Sequence, residues 1–141
     1  MEAPTIDITL HDGPLPEDRP TEADGAGASL TFVGRVRLLE QERELDALHY
    51  EAYDPMTTRQ LNALARDIAA EHGLLAVSVW HSVGRVPVGA VSLRLTVQSP
   101  HRAEALRATA AFIDRMKRDV ALWKRPVFAD ATVGAGARDD G

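Results

Sequence analysis

The stretch VSLRLTVQSPHRAEALRATAAFIDRMKRDVALWKR, residues 91–125, decides how the chain folds. Its opening alternates, with Val91, Leu93, Leu95 and Val97 on one side and Ser92, Arg94, Thr96 and Gln98 on the other. A period of two marks a half-buried strand. Ser99 then reads as a helix cap and Pro100 as the first helical residue, the place where a missing N–H costs nothing. Leu106, Ala110, Ile113 and Val120 are the expected buried stripe of that helix, with Met116 near it. Working outward, residues 29–37, 47–53 and 77–83 also alternate as strands, and residues 84–89, containing Pro87 and Gly89, suggest a hairpin-like connection. A second helix is expected after Asp54 as cap and Pro55 as first residue. Its stripe is Leu61, Leu64, Ala65, Ile68 and Ala69, and Gly73 ends it. The order strand, strand, helix, strand, strand, helix, with a short strand near each end, predicts an α+β fold: two main helices on a mainly antiparallel sheet.

The 141 residues suit one domain. We assign residues 1–133 to it, with 11–28 as an acidic loop rich in Pro and Gly and 134–141 as a flexible tail. The chain has no Cys, which excludes disulfides, thiolate metal sites and persulfide chemistry on its own side chains. No His spacing suggests a metal site. The net charge of −5 argues against nucleic-acid binding. No stretch has the length and apolarity of a membrane span, so a cytoplasmic location is expected. The charge is uneven. Residues 1–27 hold seven acids and one base, whereas residues 98–125 hold seven bases and three acids. An anion site in the last third fits that asymmetry.

Three segments are candidates for chemistry. Ser99-Pro100-His101-Arg102 sets an imidazole and a guanidinium at a helix N-terminus, where free N–H groups attract a phosphate. A capped helix with two exposed polar residues has the same sequence. Arg35 and Arg37 flank Val36 at a strand end and share a face by period two, so both can point at one anion. The third segment is residues 116–125. Of 16 basic residues 14 are Arg, and the two lysines, Lys117 and Lys124, fall in this one window. An amine can lose its proton and act as nucleophile or base, which guanidinium cannot.

In order along the chain stand Phe32-Val33-Gly34-Arg35-Val36-Arg37, His49-Tyr50-Glu51-Ala52-Tyr53-Asp54-Pro55-Met56 and His81-Ser82-Val83-Gly84-Arg85-Val86-Pro87-Val88-Gly89. Ser99-Pro100-His101-Arg102 follows, and then Met116-Lys117 leading to Leu122-Trp123-Lys124-Arg125. This series resembles the catalytic (large) subunit family of molybdopterin synthase, from about Gly27 to Phe128. The resemblance implies an α/β hammerhead with an additional antiparallel sheet. It also implies a sulfurtransferase that turns cyclic pyranopterin monophosphate into the dithiolene of molybdopterin. The sulfur would arrive as a thiocarboxylate on the C-terminal glycine of a small ubiquitin-like subunit, with no cofactor. Two copies of this chain would form the centre of a heterotetramer.

Carried over by position, the resemblance makes Lys117 and Lys124 catalytic. It makes Arg35, Val36, Arg37, His101, Arg102, Arg125 and Pro126 substrate-binding. His101 and Lys117 lie 16 residues apart on one expected helix, about 24 Å along its axis, so they serve separate subsites or a site shared between two subunits, the reading favoured here. The family usually has Pro where Ala121 stands, an acidic residue where Pro126 stands, and an Asn/Gly-rich turn where Leu38-Leu39-Glu40-Gln41 follows Arg37. A non-catalytic homologue that binds the ubiquitin-like partner without turnover is the alternative.

Overall fold

The computed structural model describes residues 3–18, 21–129 and 137–138. Strands β1 (Thr5–Asp12), β2 (Ala28–Arg35), β3 (Leu39–Glu40) and β4 (Arg43–Ala52) precede helix α1 (Met56–His72). Then come β5 (Ala76–Pro87), β6 (Val91–Ser99), helix α2 (Arg102–Asp119), β7 (Leu122–Phe128) and β8 (Ala137–Arg138). The sheet runs β2-β6-β5-β4-β7-β8, with β1 added to β5 and β3 to β4. Every pairing is antiparallel except β1 on β5. This is the expected α+β class with its two main helices.

β5 joins two halves of the sheet. Residues up to Val83 pair with β1 and β6, and Gly84–Pro87 pair with β4 instead. Gly84 makes the switch possible. Its φ is 78°, and a Cβ there would meet the Asp12 carboxylate at 2.5 Å, so any other residue would be strained and would push that carboxylate aside. The strand therefore runs straight through the expected 84–89 connection, and only Val88–Ala90 turn, with Ala90 N–H bonding to Pro87 C=O. Each half has its own core. The larger packs α1 and α2 on β5 and β6 through Leu61, Ile68, Val79, Leu95 and Phe112. The smaller gathers Val36, Leu45, Leu48, Tyr50, Val86 and Phe128.

The helices differ from expectation at their starts. The cap of α1 is Pro55 rather than Asp54, although Asp54 Oδ1 still accepts the Thr58 N–H at 2.9 Å. Gly73 ends α1 in the left-handed conformation, as expected. α2 begins two residues later than the Ser-Pro reading, with His101 as cap. Its imidazole accepts the N–H of Glu104, whose carboxylate accepts the His101 N–H at 3.2 Å. The buried face of α2 is Ala105, Ala108, Thr109, Phe112 and Met116, one residue out of phase with the expected stripe. Small side chains let the helix lie close on the sheet, and Leu106 is left 57% exposed. Most of the 134–141 tail lies outside the described residues, but Ala137 and Arg138 pair with Lys124 and Trp123.

Candidate active site

Where the two cores meet, β2, β4, β6, β7 and the end of α2 enclose a cavity of about 220 Å³. Leu48 and Tyr50 come from the smaller core, Leu93 and Met116 from the larger. Into this apolar seam project four cations, Arg35, Arg37, Lys117 and Lys124, and one acid, Glu40. Such a mixture of apolar walls and converging charge is what a small-molecule site requires.

Lys124 is the most enclosed of the four. It lies centrally in β7, paired with Tyr50 across the ladder, and its side chain is 5% exposed. Its ammonium stands 3.6 Å from Glu40 Oε1. The Tyr50 hydroxyl beside it donates to Ser92 Oγ at 3.1 Å. Lys117 arrives from the last turn of α2, half-buried, with no hydrogen bond or ion pair among the described residues.

The link between the two lysines is fixed from α1. Thr57 donates its hydroxyl to the Ala121 carbonyl at 2.6 Å, and the Ala121 N–H donates to Gln60 Oε1 at 2.7 Å. A proline at 121, which the resemblance leads one to expect, has no N–H for that second bond. Here the Ala departure gives the α2–β7 corner a tether.

The arginines reach the cavity by different routes. β2 ends at Arg35 after a bulge at Gly34, so the shared strand face expected for Arg35 and Arg37 does not exist. Val36 leaves the ladder, bonds to Ala90 and Gly89 through its backbone, and buries its side chain in the smaller core, away from the cavity lining. Arg35 donates to the Gly89 carbonyl at 3.0 Å, while Arg37 comes from the loop and lies 3.9 Å from Glu40 Oε2.

The remaining sequence-predicted residues lie elsewhere. Arg125 projects from the opposite face of β7 to Lys124 and pairs with Glu51 at 2.6 Å. Pro126 is buried opposite Leu48 and lines no part of the cavity. His101 and Arg102 sit at the far end of α2, about 24 Å from Lys117 along the axis. Within one chain they do not join this cavity. Glu40, Tyr50 and Ser92 line it without having been singled out from sequence. Glu40 stood in the stretch lacking the Asn/Gly-rich turn, and that departure was the available signal. The turn is made by Gln41 and Glu42 at φ 55° and 62°, a conformation unusual for residues other than Gly, Asn and Asp.

The profile of the family described as MoaE protein matches residues 14–119. The molybdopterin synthase catalytic subunit of Coccidioides immitis is 36% identical over 93% of this chain and 67% of its own length. That of Oryza sativa subsp. indica is 39% identical over 77% of this chain and 56% of its own. This chain thus spans about two thirds or less of these curated relatives. Among solved structures, molybdopterin synthase from Staphylococcus aureus superposes with a TM-score of 0.78 at 28% identity, covering 95% of this chain and 96% of that one. Profile, identity and fold agree, and the chain belongs to the MoaE protein family.

Proposed function

We propose that this chain is the catalytic subunit of a molybdopterin synthase. It transfers sulfur from the C-terminal thiocarboxylate of a small ubiquitin-like protein to cyclic pyranopterin monophosphate. The observation that carries this reading is the convergence of Lys117, Lys124, Arg35 and Arg37 on one partly apolar cavity. Each transfer breaks the acyl carbon–sulfur bond and forms a carbon–sulfur bond to the pterin in place of a carbon–oxygen bond there. That oxygen leaves as water or, where it belongs to the cyclic phosphate ester, on the ring-opened phosphate. The terminus takes up an oxygen from water in place of its sulfur and leaves as a carboxylate. No redox step is involved, no cofactor is needed, and two rounds complete the dithiolene.

The cations have distinct tasks. Arg35 and Arg37, near the open side, hold the anionic substrate through guanidinium forks. Lys117 and Lys124 orient the thiocarboxylate and neutralise charge on its carbonyl oxygen as sulfur leaves. The apolar walls strengthen both effects by excluding water. His101 and Arg102, too distant within one chain, complete the substrate site from a second copy in a homodimer, which makes the assembly a heterotetramer. A cytoplasmic location goes with this reading.

The test mixes the chain with thiocarboxylated partner and cyclic pyranopterin monophosphate and measures molybdopterin. Product formation supports the sulfurtransferase. Partner binding without product leaves the non-catalytic homologue, the reading that Pro126 favours by standing where the family carries an acid.

A further inference from the structure

A cavity suited to anions carries one carboxylate of its own. Among the described residues, Glu40 is the single acid in a lining with four cations. It stands between two of them, 3.6 Å from Lys124 and 3.9 Å from Arg37. Both separations are ion-pair contacts longer than a hydrogen bond. The side chain of Glu40 is 20% exposed and that of Lys124 5%, so solvent screens the pair only weakly. An incoming anion and the Glu40 carboxylate compete for the same ammonium.

The element carrying Glu40 can yield. β3 is two residues long and, among the described residues, pairs only with β4, through Leu39 opposite Glu44 and Glu40 opposite Arg43. Leu38 and Leu39 are exposed, and residues 37–43 belong to neither core. The base of the hairpin is held by Leu45 in the smaller core and by Arg43, stacked 3.8 Å over the Phe128 ring. The carboxylate can therefore withdraw from Lys124 without opening a core.

We infer that Glu40 is a specificity-determining residue, an internal carboxylate that holds Lys124 against free anions and releases it to a carboxyl-type terminus delivered by a docked partner. The inference rests on the sulfur-transfer reading for its ligand. The physical basis is effective concentration. A carboxylate tethered beside Lys124 outcompetes a free phosphate at millimolar concentration, whereas the tail of a docked partner is itself tethered and competes on equal terms. Removing the internal competitor raises the affinity of every free anion for the cavity.

The experiment titrates the full chain with inorganic phosphate by calorimetry at fixed low ionic strength, and measures phosphate inhibition of molybdopterin formation in parallel. Glu40→Gln is expected to bind phosphate about fivefold more tightly than wild type. Its half-inhibiting phosphate concentration should fall by a similar factor. Adding Lys124→Ala to Glu40→Gln should remove the gain, and Glu40→Asp, which keeps the charge, should fall between wild type and Glu40→Gln. Unchanged phosphate affinity in Glu40→Gln overturns the inference, as does a gain that survives Lys124→Ala. If the wild type makes no molybdopterin while Glu40→Gln still gains phosphate affinity through Lys124, the sulfur-transfer reading fails and the competition stands.

Discussion

The two ends of α2 carry similar chemistry to different ends. At the N-terminus, His101 and Glu104 satisfy each other's backbone N–H groups, and the Ser99 hydroxyl bonds to the His101 carbonyl. Much of what looked like an anion site in the sequence is used to start the helix. At the C-terminus, Lys117 faces a cavity shared with Lys124, Arg35 and Arg37. The contrast lies in Lys117, whose ammonium has no hydrogen bond or ion pair among the described residues, whereas the helix start uses most of its polar groups on itself. What remains at the N-terminus is one imidazole nitrogen and the exposed Arg102 guanidinium, enough to assist a second copy and too little for a site alone.

The largest effect expected is from cutting the helix between its ends. Phe112 is fully buried against the sheet, and Phe112→Ala should destabilise the fold by about 3–5 kcal/mol, read from urea unfolding. Both ends would lose their footing together. Next, His101→Ala removes a cap and should cost about 1 kcal/mol. Lys117→Ala, half-buried and unbonded among the described residues, should change stability by no more than about 0.5 kcal/mol. In the assay the order reverses, with Lys117→Ala the more damaging. Mixing His101→Ala with Lys117→Ala chains should restore activity if each site draws on both subunits, because one site of each hybrid is then intact. No recovery in verified hybrids would contradict the shared site.

The smallest effect concerns the clamp between α1 and the last turns of α2. Arg115 donates to both carboxylate oxygens of Glu71, at 3.0 and 2.6 Å. That hydrogen bonding, ahead of simple charge attraction, holds the Glu71 carboxyl below its ordinary 4.5, and Glu71 in turn raises Arg115. A carboxyl depressed in the folded state stabilises the fold above its unfolded pKa and loses that contribution as pH falls through the folded value. Both groups are partly exposed, so the contribution is small. Glu71→Gln should slightly lower stability near neutrality, with the difference from wild type shrinking as pH falls below about 4.5 and vanishing in acid, as followed by thermal unfolding across pH.

The sequence was most readable where one rule acted alone. Alternation at Val91, Leu93, Leu95 and Val97 marked β6 as a strand, but Ser92, Arg94, Thr96 and Gln98 on its other face are buried as well, so it is not the half-buried strand expected. The concentration of both lysines in residues 116–125 located the cavity, since the α2–β7 corner returns Lys124 toward Lys117. Reading failed where tertiary contacts overrode local preference. Leu106 looked buried because it fell on the expected apolar stripe with Ala110 and Ile113, yet close packing on the sheet favoured Ala105 and Ala108. The passage of β5 through Gly84 depended on Asp12, 72 residues earlier in the chain. Glu40 entered the site across β3 and β4, a neighbourhood that spacing along the chain does not encode.

The central claim is that sulfur transfer takes place in the cavity at the C-terminal end of α2 and depends on its two amines. The most direct test is the single-turnover rate of molybdopterin formation by Lys117→Arg and Lys124→Arg, with partner binding measured alongside. Both variants keep the positive charge and remove the compact amine. With partner binding intact, the account predicts that each rate falls by about 10²-fold or more, the scale of losing one donor to a developing oxyanion. Rates equal to wild type in both variants would contradict it.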